Sequence, residues 1–207
     1  GVAWFGGAHD SHPGNDVVLL DVATPVWVPD TIGPDVPAGT DPWYDAITVG
    51  EGRNVTDPSG TEPGVLLAGR PWTLHSNQDY CYWPSRNVLF LCTGSGVWFY
   101  HLDTRTWELR ATEQQHGRDW RATGGAIFCD ETRDRILLVV KQGQVSARGV
   151  YLWNDDTLHW DALVSTVPTL QERLYGAYDS FRDMYYLLSY DKDLKELWEI
   201  NLATLAW

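Results

Sequence analysis

Apolar residues along this chain gather in short β-branched or aromatic runs, separated by small polar clusters of Asp, Asn, Thr, Arg and Gly. That pattern predicts strands joined by tight turns. One run is written four times: "VVLLDVATPVW" (17–27), "VWFYHLDTRTW" (97–107), "VYLWNDDTLHW" (150–160) and "LWEINLATLAW" (197–207). Aligned on their last residue, the copies superpose Trp27, Trp107, Trp160 and Trp207. Thr24, Thr104, Thr157 and Thr204 fall three places earlier, and Asp21, His101, Asn154 and Asn201 six places earlier. Each copy reads as a strand, an Asx/Thr turn, and a strand opening with Trp. A residue type fixed in every copy is repeat packing before it is chemistry.

A second pattern lies upstream. "YWPSRNVLFLC" (82–92), "CDETRDRILLVV" (129–140) and "YDSFRDMYYLLS" (178–189) each show a strand end, a turn carrying Arg-Asn or Arg-Asp, and an apolar strand. One unit is therefore strand, tight turn, strand, loop, strand, Thr turn, Trp strand, a four-stranded antiparallel sheet. The Trp residues stand 80, 53 and 47 positions apart, and the last two spacings fall near the roughly 40–50-residue period of propeller blades. A single such sheet leaves one face bare, so sheets of this kind stack and bury their Trp and Val faces between them.

These residues carry a family resemblance. The chain resembles Kelch-type β-propellers, including the central domain of galactose oxidase, through the double glycines Gly6-Gly7 and Gly124-Gly125 and the spaced Trp. It is similar in detail to bacterial and phage Kelch-like proteins, with "GGAHDSHPGNDVVLLDVATPVW" followed by "GRPWTLH". The resemblance covers most of the chain outside residues 29–68. It implies an all-β propeller of four-stranded antiparallel blades, about four in this chain, and leaves function open because propellers carry many functions.

The expected organisation is blade 1 over 1–28, lacking its first strand, and an insertion over 29–68. Blade 2 follows over 69–112, blade 3 over 113–163, and blade 4 over 164–207, truncated in its last strand. Open sheet edges are avoided in folded proteins. The chain therefore reads as an internal piece of a longer propeller, or else as a short chain closed by a partner. The insertion is dense in Pro, Gly and Asp, and a loop of that length inside a compact domain is functional or disordered.

The formal charge is −13, and nucleic-acid binding needs a basic footprint, so that partner class is not expected. No run of about 20 apolar residues occurs, so no membrane span is expected. Cys81, Cys92 and Cys129 show no metal spacing. Cys81 and Cys92 fall diagonally on one hairpin face, where a disulfide is awkward and small buried thiols are the plainer reading. Asn54–Thr56 is a glycosylation sequon, meaningful only in a secreted eukaryotic protein.

Function in such a scaffold concentrates in its long loops. His9-Asp10-Ser11-His12 is a weak metal pattern, read here as a decorated turn. Arg70 and His75, then His116, Arg118, Asp119 and Arg121, then Arg173 occupy equivalent places before successive blades. They would converge on one rim, suited to a carboxylate, phosphate or acidic sugar. The plainer alternative is that Asp10, Asp119 and Glu172 neutralise them. His9, His12, Arg70, His75, His116, Arg118, Asp119 and Arg173 are the candidate ligand or partner residues. Tyr100-His101 has the residue types of copper radical oxidase ligands but sits in the repeated strand slot, so it reads as structural. No catalytic residue, cofactor or metal is expected. The expected function is a non-catalytic scaffold for protein interaction or assembly at an extracellular, envelope or virion surface. Its partner would be another protein or further blades. The alternative is a propeller enzyme or lectin-like carbohydrate-binding protein.

Overall fold

The computed structural model describes residues 2–6, 16–21, 26–29, 80–93, 96–112, 125–140, 148–165, 167–170, 173–190 and 193–207. All fourteen strands among them are antiparallel. They are β1 (Val2–Gly6), β2 (Asp16–Asp21), β3 (Val26–Pro29), β4 (Tyr80–Trp83), β5 (Val88–Thr93), β6 (Gly96–His101) and β7 (Thr106–Thr112). Then come β8 (Gly125–Asp130), β9 (Arg135–Val140), β10 (Gly149–Asn154), β11 (His159–Val164), β12 (Arg173–Asp179), β13 (Met184–Tyr190) and β14 (Lys195–Asn201). They form four meanders, β1-β2-β3, β4-β5-β6-β7, β8-β9-β10-β11 and β12-β13-β14. One turn of 3-10 helix, Pro84–Arg86, joins β4 to β5.

The fourfold motif keeps one register. Leu20 faces Trp27, Tyr100 faces Trp107 and Trp153 faces Trp160 across their hairpins. In the fourth copy the Asn201–Ala206 bridge sits where Asp21–Val26, His101–Thr106 and Asn154–His159 sit in the others. The turns explain the constancy. Asn154 Oδ1 accepts the backbone N–H groups of Asp156 and Thr157, and Asn201 Oδ1 accepts those of Ala203 and Thr204. The chain then turns back through a left-handed residue: Arg105 (φ 57°), Leu158 (φ 56°) and Leu205 (φ 56°). That conformation strains an L side chain by about 1–2 kcal/mol, and the Asx bonds help to hold it. The first turns use residues that tolerate it better, Asn87, Asp134 and Asp183.

By compactness the chain divides into two units, residues 1–77 with 92–112, and residues 78–91 with 113–207. In the first, β6 is buried from Gly96 to Tyr100. The Tyr100 ring lies 5.0 Å from that of Trp107.

In the second unit, β9 is the centre of the core. Ile136, Leu137, Leu138 and Val139 are all 0% exposed, so both faces of this strand are covered, which matches its unbroken apolar sequence. On one face, Phe90 of β5 meets Trp153 and Trp160 edge-on at 5.7 and 5.9 Å. On the other face, Ala126, Phe128, Leu137, Val139 and Val150 form one cluster with Leu174, Tyr185, Leu187 and Ile200. Phe128 and Tyr185 stack at 3.7 Å between centroids. Gly176 leaves room for the Tyr185 hydroxyl, into which a Cβ there would run. β8 has β4 as its neighbour on one side and β12 on the other, so first strands of successive sheets lie side by side.

Trp107, Trp160 and Trp207 do not share one burial. Trp160 is 1% exposed, whereas Trp107 and Trp207 are half-buried, and Trp207 follows the bridge at Ala206 rather than opening a strand. The register fixes the place of each Trp, but its burial depends on which ring covers it, and Trp160 has Phe90 and Trp153.

Candidate functional site: the clasp between first turns

The most highly charged cluster among the described side chains is built by the first hairpin turns. Asp130 closes β8 with 0% exposure. A buried carboxylate without partners would cost several kcal/mol. Here the Arg133 Nη1 donates to both its oxygens at 3.1 Å, and Arg135 Nε donates at 2.8 Å. Arg133 then reaches the next sheet, donating to Asp183 at 3.0 and 2.6 Å. Arg135 Nη2 donates to the Leu202 carbonyl at 2.7 Å.

The preceding junction is built alike. Trp83 Nε1 donates to Asp134 Oδ1 at 2.6 Å, and the Ser85 hydroxyl donates to the same oxygen. Arg86 lies 4.3 Å over the Trp83 ring and donates to Asp155 at 2.5 Å. Asp134 and Asp183 occupy the same turn position, and each accepts hydrogen bonds from the first turn of the sheet before it.

The electrostatics follow from these bonds. The Arg133 guanidinium holds Asp183 below the ordinary carboxylate value. The Ser85 hydroxyl, then the Trp83 indole, does the same for Asp134. Arg133 is raised in turn, chiefly by its hydrogen bond to Asp183. Asp130, Asp183, Arg133 and Arg135 balance in charge. The cluster holds sheets together rather than offering a vacant cationic site.

No family model matches this sequence, and no curated protein matches it.

Two of the three thiols are held in the protonated form. Cys81, Cys92 and Cys129 are free, and Cys81 faces Phe90, which sets Cys92 diagonal to it. Burial, then the charges of Glu131, Asp134 and Asp130, pushes Cys129 up to about 12. Burial, then Cys129, pushes Cys81 well above its ordinary value. Such thiols stay protonated and poorly nucleophilic at neutral pH. Tyr185 is likewise raised, by burial and then by Cys81.

Of the residues singled out from sequence, His9, His12, Arg70, His75, His116, Arg118 and Asp119 lie outside the described residues, as do Asp10, Arg121 and Glu172. So does the insertion after its first residue: Pro29 ends β3, paired with Val18, and 30–68 lie outside the described residues. Arg173 opens β12 opposite Tyr190, and only its backbone is described. Tyr100 is buried, and His101 is hydrogen-bonded through Nε2 to Glu108 at 2.7 Å. Among the described residues no group of three His, Cys, Asp or Glu side chains could hold a metal ion, and no helix is long and apolar enough to cross a membrane. The clasp itself was written in the sequence as the recurring Arg-Asn and Arg-Asp pair. Read alone, that pair is turn chemistry; that Arg133 spans to the next sheet is not legible until both sheets are placed.

Proposed function

We propose that this chain is a Kelch-like propeller segment acting as a non-catalytic scaffold for protein interaction or assembly. The observation that carries the reading is the junction repeated between successive sheets. First strands β4, β8 and β12 lie side by side, and first turns clasp through Asp134 and Asp183. Radially stacked blades would bring their innermost strands together in this way. The reactive side chains near these strands are engaged in holding the fold. Asp130 and Asp183 are bound by arginines, and Cys81 and Cys129 are held as thiols. A rigid frame of this kind serves by presenting loops, and the insertion 29–68 is the longest candidate.

Deletion of residues 29–68 tests the reading. The shortened chain is expected to keep its near-UV circular dichroism and melting transition, and to lose the protein cross-links that the intact chain forms in its native surroundings. Unfolding on deletion, together with no cross-linked partner of the intact chain, would sink it. Intact mass separates the oxidase alternative: a Tyr–Cys crosslink lowers the mass by a hydrogen pair, and the scaffold reading expects the unmodified value.

A further inference from the structure

The hairpins β8–β9 and β12–β13 align on their turns, Arg133-Asp134 over Arg182-Asp183 and Asp130 over Asp179. This puts Tyr186 and Leu188 in the places of Leu137 and Val139. Alignment on Trp160 and Trp207 puts Leu197 in the place of Val150. In the β8–β11 sheet those places are 0% exposed, because β12–β14 covers them. In the β12–β14 sheet two of these places are open, and Tyr186 is half-buried. Leu188 is 39% exposed and Leu197 is 66% exposed, and the two face each other across β13 and β14. On the same face Tyr175 stacks on Tyr190 at 5.6 Å. One side of the sheet is thus closed by Tyr185, Leu187 and Ile200, while the other carries Tyr175, Leu188, Tyr190 and Leu197, bordered on β14 by Lys195 and Glu199, in register with an established interface.

The polar half of that interface is prepared as well. Arg133 reaches forward to Asp183, and Arg182 is its equivalent one sheet later. Arg182 is 67% exposed and lies against Tyr186 and Asp179 of its own sheet, at 3.3 and 3.9 Å. Asp179 also caps its turn as Asp130 does, accepting the Arg182 backbone N–H at 3.1 Å. The partly apolar surface and the exposed arginine in the sequence place of Arg133 are separate observations pointing to one kind of occupant.

We propose that the open face of β12–β14 docks one further antiparallel sheet of the same repeat. That sheet would present an apolar face like that of Leu174, Tyr185, Leu187 and Ile200, and an Asp at the end of its first turn to receive Arg182. The proposal rests on the repeat-scaffold reading and names what one of its surfaces takes. It does not depend on the insertion, so the two can fail separately.

The test extends the full chain by repeating residues 161–207 directly after Trp207, which preserves the Trp register and supplies a complete last strand to the β12–β14 sheet. Leu197→Cys is placed in both the original and the extended chain, and alkylation of the new thiol is timed. Expected is a slowing of at least about tenfold in the extended chain, since a covered side chain reacts only through local opening. Arg182→Asp should return the fast rate. Asp→Arg at the repeated copy of position 183 should restore protection in that background, an exchange that a merely misfolded variant would not show. A thiol that reacts equally fast in both chains overturns the proposal, whether or not the added residues fold, because an undocked sheet is what it denies. Protection that grows with concentration in the unextended chain overturns it in favour of a second copy.

Discussion

At the scale of single residues, equal sequence slots carry unequal energies. Trp160 and Trp207 are repeat equivalents, yet Trp160 is 1% exposed between Phe90 and Trp153 while Trp207 is half-buried beside Trp198. Truncating a fully buried Trp costs about 3–5 kcal/mol. Trp160→Ala is therefore expected to lower the urea midpoint steeply, and Trp207→Ala to lower it clearly less. Equal losses would mean that slot, rather than packing, sets the energy. Tyr185 makes the same point: its ring is fixed by Phe128 on one side, and its hydroxyl lies over Gly176. Neither contact is implied by the alternation of β13.

At the scale of elements, the first turns are both caps and connectors. Asp183 is held below its ordinary value by Arg133, so the charged carboxylate is favoured in the folded state. A depressed carboxylate contributes stability above the unfolded value, 3.8, and loses it as the pH falls through the lower folded value. Asp134, lowered by Ser85 and Trp83, acts in the same direction. Asp183→Asn keeps the shape and removes the charge. It is expected to reduce stability at neutral pH, with the deficit against the parent shrinking as the pH drops below about 4, where the parent loses its charge too. A deficit unchanged down to strongly acidic pH would show that shape, not charge, was at work. This check needs only denaturation midpoints across a pH series.

For the whole molecule, the thiols report on how the sheets open. Cys129 is held near 12 and Cys81 well above its ordinary value, both mainly by burial. Native alkylation at pH 8 is expected to be slow and to follow unfolding, accelerating in the denaturant range where the near-UV signal is lost. Because the folded state disfavours the thiolate, these groups stabilise the fold below the unfolded thiol range and lose that contribution as pH rises through it and above. Rapid labelling of Cys129, which is buried, well below the unfolding midpoint would show that β8 opens locally. The clasps bind this same strand at its turn, so labelling should quicken in Asp183→Asn.

Much of the local structure was legible in the chain. Strand alternation, the Asx/Thr turns and the fourfold Trp register all depend on neighbours a few residues apart, and the hairpin pairing follows that register in every copy. What the sequence alone determined was therefore the all-β class and the unit from which the sheets are made. Tertiary structure decided which of the equivalent slots are covered, and whom each charged turn residue meets. Arg133 and Arg182 are written alike, but one bridges Asp130 to Asp183 while the other lies against its own sheet. Val150 and Leu197 are written alike, yet one is 0% and the other 66% exposed. The physical reason is that burial and ion pairing depend on the sheet that arrives from elsewhere in the chain, and periodicity within a strand carries no record of it.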